Sequence, residues 1–203
     1  MLTIYPENQA ERDNYKLLIG SIIPRPTAFI TTQSHAGVVN AAPFSYFNVV
    51  TADPPMISVS IQRKQGDYKD TSRNIIETGE FVVHISDEDY IEAINQTAAN
   101  LPANQSELDL ARLTTVPSVK LKVPGIAEAK IRMECVLERA IELGGTPSSP
   151  TCDLIIGRVI CFHIEDDLYE NGRIDAEKLK PVSRLAGNNY SKLGEIFAIA
   201  RPE

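Results

Sequence analysis

The sequence predicts a mainly β protein, an antiparallel barrel with a few helical insertions. Short segments rich in β-forming residues occur along the whole chain, and helical segments appear between them as connections. Strands and helices do not alternate regularly, which argues against a doubly wound parallel sheet. The 203 residues carry 13 prolines and 11 glycines, which fits many turns, and no change in composition marks a domain boundary. Residues 1–203 are therefore expected to form one domain.

The first third of the chain predicts one helix and then a run of strands. Mixed charges with a late apolar cluster predict the helix, and two prolines next force an extended stretch. The strands are predicted by β-branched and aromatic residues and, in the last of them, by a clean alternation. In order, these segments are a helix over Glu11–Ile19 and strands over Thr27–Thr32, Val38–Pro43, Phe44–Thr51 and Met56–Ile61.

The middle of the chain predicts three helices and one strand. Asp70 or Thr71 is placed to cap the first helix, and Gly79 to end it. Ser86 could cap the second helix in the same way. The segments are helices over Thr71–Thr78, Asp87–Ala99 and Glu107–Leu113, with a strand over Phe81–Ile85.

The second half is expected to be mostly β. One long strand or two broken ones are predicted first, and a nearly continuous apolar strand follows, as expected where both faces are covered. A hairpin with a turn precedes a polar cluster and a final apolar segment, IFAIA. These segments are Ala127–Leu143, Leu154–Ile164, Tyr169–Lys180, and the tail Pro181–Pro202.

Composition excludes several functional classes. The formal net charge is −7, opposite to that of a typical nucleic-acid-binding protein, so an anionic ligand would need a local basic pocket. No apolar run approaches the roughly 18 residues that cross a membrane, and the N-terminus lacks the apolar core of a secretion signal. Three cysteines without C-x-x-C spacing argue against a disulfide framework or a zinc knuckle. We therefore expect a cytoplasmic protein with buried thiols.

The usual signatures of catalytic sites are missing from the sequence. It contains no G-x-G-x-x-G, no phosphate-binding loop of the G-x-x-x-x-G-K type and no G-x-S-x-G. His35, His84 and His163 are far apart, and His84 and His163 lie in predicted strands, where packing or surface positions are expected. No catalytic side chain and no metal ligand is predicted.

Three segments could nevertheless bind a ligand. Arg63–Arg73 carries a local charge of +2 at a predicted helix start, which favours anions, although a solvated loop is the preferred interpretation of these residues alone. Asn40–Asn48 has small residues that would let a flat ligand approach, or it is a tight turn before core aromatics. Arg184–Tyr190 could close a pocket, or it is a helix-ending turn.

Taken in order, these segments resemble one family. They are PRPTAFITT from Pro24, GVVNAAPFSYF from Gly37, DPP from Asp53, KDTSRNI from Lys69, TGEFVVHI from Thr78, and RLAGNNY from Arg184. Together they resemble the flavin reductase-like, FMN-binding split-barrel family, which includes flavoredoxins and the reductase components of two-component monooxygenases. The resemblance covers nearly the whole chain. One departure is Ala186, where relatives often carry a second glycine.

The resemblance implies a Greek-key split β-barrel that forms a homodimer with FMN near the interface. FAD is an alternative flavin. The matched motifs imply that the ring lies against the NAAPFS segment, the ribityl chain over one strand and the phosphate at the start of a helix. They also imply a C-terminal pair that closes the site, either of the same subunit or of the other one. In that order the residues are Asn40, Ala41, Ala42, Pro43 and Ser45; Ser58 and Ser60; Lys69, Asp70 and Thr71 with Arg25; and Arg184 and Tyr190.

The resemblance also leaves alternative functions. A flavin reductase would transfer hydride from NAD(P)H to flavin without a protein acid or base, and could supply a partner monooxygenase. Backbone N–H groups from Ala41 to Ser45 would then stabilise the reduced ring. A flavoredoxin-like carrier would hold FMN and accept electrons from a protein, with little NAD(P)H turnover. A flavin-storage or heme-binding relative on the same barrel is the third possibility.

Overall fold

The computed structural model describes residues 1–99, 101–102 and 104–202. Most of the strand residues belong to an antiparallel seven-stranded sheet. Short helices and three small sheets accompany it. The strands are β1 Arg25–Pro26, β2 Ala28–Gln33, β3 Val39–Phe44, β4 Phe47–Ala52, β5 Pro55–Gln62, β6 Glu80–Ile85, β7 Thr115–Val116, β8 Gly125–Ile126, β9 Ile131–Leu143, β10 Cys152–Ile164, β11 Tyr169–Glu170, β12 Arg173–Ile174, β13 Ser183–Arg184 and β14 Tyr190–Ser191. The helices are α1 Glu11–Ser21, α2 Asp70–Thr78, α3 Ile91–Gln96, α4 Leu108–Ala111 and α5 Ala176–Leu179.

The seven-stranded sheet has the order β3-β2-β6-β9-β10-β5-β4 and curls around an apolar core. Alternate residues of β5 point inward, so Ile57, Val59 and Ile61 are buried while their neighbours are more exposed. Phe81 lies in the same core beneath Gly157, where an added Cβ would come within 2.3 Å of the ring. The mainly β fold with helical connections is therefore confirmed.

A second apolar cluster covers the outer face of β2 and β3. Phe29 and Ala41 pack there against residues of two helices. These residues are Tyr90, which immediately precedes α3, Ile94 within α3, and Leu108 of α4. These short helices therefore hold the end of β3 that enters the candidate site.

Several predicted elements differ from the observed ones. The predicted helix over Asp87–Ala99 is only six residues long, because Asp87 accepts the N–H of Asp89 in a turn that Ser86 does not cap. Strand β10 does not have two covered faces, since buried residues alternate with half-buried ones. The predicted cap of α2 is also wrong, because Lys69 occupies the capping position without a side-chain bond.

Strand β4 and the C-terminal tail leave apolar side chains in solvent. Val49 and Val50 on β4 are 73% and 49% exposed, and β4 forms one edge of the seven-stranded sheet. In the tail, Phe197 and Ile199 are 75% and 81% exposed, in a segment without helix or strand. Edge strands with exposed apolar residues are typical of surfaces that pair with another chain.

Replacing Asp87 by asparagine should make the protein less sensitive to rising pH. One Asp87 oxygen accepts from Asp89 and the other is buried without a partner among the described residues, so burial raises the pKa of Asp87 from 3.8 to about 6. A carboxyl with a raised pKa in the folded state loses its contribution to stability as pH rises through that pKa. In urea unfolding, the free energy of unfolding of Asp87→Asn relative to the wild type should rise by about 2 kcal/mol between pH 4 and 7. An advantage that does not change with pH would contradict this assignment.

Candidate functional site

Three adjoining cavities form a groove along β3, β4, β5 and the start of α2. The α2 cavity and the central cavity have volumes of about 440 and 560 Å³ and share Pro43, Phe44 and Lys69 in their walls. A third cavity of about 440 Å³ continues past Ser45 and Ser60 toward α1. The groove therefore runs from the start of α2 to the C-terminal end of α1.

The sequence pattern explains why β3 can line this groove. Its residues Asn40–Pro43 are small or compact, so ligands can approach the backbone closely. Across the groove, β5 places Ser58 and Ser60 in the wall of the third cavity. The structure therefore brings together two of the predicted segments that are separated by 15 residues or more in the chain.

The α2 cavity has a polar wall built from Asn40 and Thr71. The Thr71 hydroxyl lies 2.9 Å from the Asn40 amide, and both side chains are buried. With the amide oriented to suit both neighbours, Asn40 accepts from Thr71 and donates to Glu107. Two predicted residues from different segments thus form one hydrogen-bonded wall.

The cations of the Arg63–Arg73 segment have different partners. Arg63 is bound to Asp153, with its Nη2 2.7 Å from Oδ1, and also to Glu142. Arg73 pairs with Asp70, one turn earlier in α2. Both arginines are therefore neutralised by carboxylates. The net charge of +2 that the sequence of this segment carries does not form one continuous basic surface.

Lys69 is the cation at the junction of the α2 and central cavities. No ion pair of Lys69 occurs among the described residues, and its Nζ lies 5.8 Å from the Phe44 ring centroid. Burial, with repulsion from Lys64, lowers the pKa of Lys69. Lys69 therefore offers a charge to an anion in the groove.

Asp70 does not cap α2, and it lies in the wall of the α2 cavity. It is the first residue of the helix and faces Arg73, so its carboxylate is balanced locally. The helix N-terminus is consequently open toward the cavity without a capping side chain.

Arg25 lies in the wall of the central and third cavities, but most of its donors are in use. Its Nη1 donates to the carbonyl of Ile19 at 2.8 Å, and its Nη2 donates to that of Leu185 at 2.9 Å. Arg25 thereby connects α1 to the β13 region. Its Nε is buried without a partner among the described residues, and so is the Thr27 hydroxyl beside it.

Arg184 and Tyr190 form a lip on the central cavity. They face each other in the β13–β14 hairpin, where the guanidinium donates to the Tyr190 hydroxyl and lies 4.6 Å from its ring centroid. The hairpin is held to the barrel because β13 pairs with β1, with Arg184 opposite Arg25. A predicted pair from the C-terminal segment therefore reaches the groove.

Ala41 does not line any of the three cavities. Its side chain is buried in the second apolar cluster, and its N–H donates to Glu107 Oε2 at 3.1 Å. Among the alternate residues Ala41, Pro43 and Ser45, Pro43 has no N–H and the N–H of Ala41 is bound to Glu107. Ser45 is therefore the one whose backbone N–H could bond the edge of a ring. The set of backbone donors expected from Ala41 to Ser45 is thus smaller than the sequence indicated.

Glu107 is a site residue that the sequence analysis missed. It is buried beneath Asn40 and Ala41, and burial raises the pKa of its carboxyl despite the N–H of Ala41. Tyr46, Asn95 and Ala98 also line the groove without having been predicted. A single glutamate at the start of a short predicted helix gave no signal, since its partners are 66 residues away.

No helix of the described chain is long and apolar enough to cross a membrane.

Comparison with known proteins gives a consistent family. The model described as "Flavin reductase like domain" matches residues 19–179. An uncharacterized protein of Bacillus subtilis is 52% identical over 204 residues, which cover 100% of both chains. The crystal structure of nitrilotriacetate monooxygenase component B from Bacillus cereus is 67% identical, with a TM-score of 0.97 and 98% of each chain covered.

A more distant solved structure has the same fold. The 2-nitrobenzoate 2-nitroreductase of Pseudomonas fluorescens is 28% identical, with a TM-score of 0.89, and the match covers 99% of this chain and 96% of that one. These likenesses confirm the predicted split β-barrel.

Proposed function

The chain belongs to the flavin reductase-like family, and we propose that it binds FMN along the groove and reduces it with electrons from NAD(P)H. Residues 1–203 would act as one domain. The single observation that carries this proposal is Lys69, a cation without a carboxylate partner among the described residues, in the wall of a cavity that adjoins the open start of α2.

The residues of the groove fit a flavin phosphate and its polar chain. Lys69 offers positive charge and the first turn of α2 offers N–H groups, which together favour a phosphate. At the other end, the buried Arg25 Nε and Thr27 hydroxyl have no hydrogen-bond partners in the described chain. Buried polar groups are normally satisfied, so these two atoms favour a polar ligand in the central cavity.

The chain's own residues would bind and orient rather than donate protons. A flavin held in the groove would supply the hydride-accepting chemistry. Ser58 and Ser60 would lie along the ribityl chain, and Arg184 with Tyr190 would cover the central cavity. Asn40, Ala42 and Pro43 would contact the flavin directly. Glu107 would hold this part of the wall in place through its bonds to Asn40 and Ala41.

Two aspects of the setting are also proposals. Nitrilotriacetate monooxygenase component B is by name part of a two-component oxygenase, so a partner monooxygenase could receive the reduced flavin here. The exposed valines of β4 support a homodimer with the flavin near the interface. A cytoplasmic location is proposed as well, because the three cysteines are free thiols, as is usual in a reducing compartment.

Mixing the purified protein with FMN and reduced nicotinamide nucleotide tests the function. We expect FMN binding and FMN-dependent oxidation of NADH or NADPH. The oxidation is measured as the loss of absorbance of the reduced nucleotide. Mass spectrometry of the ligand released on denaturation identifies the flavin.

The alternative, a flavoredoxin-like carrier, predicts a different result. It would bind FMN and accept electrons from a protein donor, yet leave both nucleotides unoxidised. Failure to bind any flavin would contradict both functions.

A further inference from the structure

A cluster of three potential metal ligands lies outside the groove. Its members are Glu134 on β9 and Cys161 and His163 on β10, and we call them the outer cluster. Their ligand atoms all lie within 4.8 Å of one another. Cys161 is seven residues beyond Leu154, which pairs with Ser60 of the groove, so the two sites are separated by roughly 20 Å along the strand.

Strand pairing and one irregularity build the outer cluster. Cys161 pairs directly with Glu134, and His163 follows two residues later on the same face of β10. The register shifts between Val159 and Cys161, so Ile160 is an extra residue. Without this bulge Ile160 would face Glu134; bulges commonly redirect side chains in this way. The cluster is therefore held by two long, paired strands.

The three ligand atoms converge on one point. His163 Nε2 lies 2.6 Å from Glu134 Oε1 and 3.7 Å from Cys161 Sγ. A thiol–imidazole–carboxylate relay needs the two different ring nitrogens, one toward each partner. Here the same nitrogen meets both, so the arrangement is unsuited to a nucleophilic triad and suited to a shared cation.

Glu134 is held in position for such a role. Its side chain is fully buried, and its two oxygens accept the N–H groups of Val119 and Lys120, each at 2.7 Å. Hydrogen bonds of this kind orient the carboxylate ligands of metal sites. His163 is 23% exposed, which gives an ion a route from solvent.

We propose that the outer cluster binds Zn²⁺ through Cys161 Sγ, His163 Nε2 and Glu134 Oε1, with water as the fourth ligand. Thiolate, imidazole and carboxylate are the ligands that Zn²⁺ takes in proteins, and one thiolate with one carboxylate balances its charge. Binding releases the proton of the Cys161 thiol, and the proton that Nε2 shares with Glu134 Oε1 moves to Nδ1 or to solvent, so that Nε2 presents its lone pair to the metal. Nε2 and Oε1 must separate slightly, since the metal replaces their hydrogen bond.

Calorimetric titration of the chelator-treated full-length protein with Zn²⁺ tests the site. We expect one Zn²⁺ per chain and a thiolate-to-cobalt absorption band when Co²⁺ is substituted. Cys161→Ser and His163→Gln should each weaken Zn²⁺ binding at least about tenfold, and Cys161→Ser should abolish the cobalt band. These two variants carry the test, because Glu134→Gln disturbs the loop that Glu134 anchors.

Cys152→Ser is the matched control, since Cys152 is a second partly buried thiol at the opposite end of β10. It should leave Zn²⁺ affinity and the cobalt band unchanged. FMN binding should be unchanged in Cys161→Ser and His163→Gln, which keeps this test separate from the proposed function. Absence of Zn²⁺ binding, or equal binding by wild type and Cys161→Ser, would overturn the proposal.

Discussion

Replacing Lys69 and Thr71 together by alanine should weaken FMN binding roughly 10- to 100-fold while changing riboflavin binding much less. Lys69 lines both the α2 cavity and the central cavity and has no carboxylate partner in the described chain, and Thr71 supplies a hydroxyl in the first turn of α2. Hydrogen bonds to charged groups contribute about 1.5–3 kcal/mol, which corresponds to this range of affinity. Quenching of flavin fluorescence gives both dissociation constants.

The single variant Lys69→Ala separates charge from structure. It leaves the hydrogen bond between Thr71 and Asn40 in place, so riboflavin should bind as it does to the wild type. Lys122→Ala is the matched control, because it removes one positive charge from an exposed position that lines none of the three cavities. Equal losses of FMN and riboflavin affinity in Lys69→Ala would show that Lys69 does not face the phosphate.

The charges of this segment show where sequence reasoning succeeds and where it stops. A local excess of +2 marks the region that contains Lys69, and the binding role of that region stays a prediction. The sequence could not show that Arg63 is bound by Glu142 and Asp153, which lie 79 and 90 residues away. Such partners depend on the pairing of distant strands, whereas the pairing of Arg73 with Asp70 is local.

The fold was predicted well where local pattern and burial agree. β5 alternates in sequence and is buried on alternate residues, so its prediction is confirmed. The helix expected over Asp87–Ala99 is shorter because its first residues form a turn stabilised by side-chain hydrogen bonds. Propensity is a weak guide in such a segment, since tertiary contacts decide it.

The residues missed by the sequence analysis all depend on long-range geometry. Glu107 reaches Ala41 across 66 residues. The outer cluster needs a bulge at Ile160 to place Cys161 opposite Glu134, and no spacing within the sequence encodes that register. Ligand sets of this kind therefore become visible only once strands are paired.

Val49→Glu should convert the proposed homodimer into monomers. Val49 is 73% exposed on an edge strand, and burying a carboxylate at an apolar interface without a partner costs several kcal/mol. We expect dimer affinity to fall roughly 100-fold or more. Light scattering should then report the 22.4 kDa of one chain instead of twice that mass.

Val119→Glu is the matched control, because Val119 has a similar exposure of 70% in the loop between β7 and β8. It should leave the dimer intact. If flavin lies near the interface, Val49→Glu should also weaken FMN binding. Raising the protein concentration should then restore the dimer and FMN binding together. A wild-type mass of one chain would contradict the homodimer, and a dimeric Val49→Glu would place its interface away from β4. Dissociation without any loss of FMN affinity would instead show that each chain holds its flavin alone.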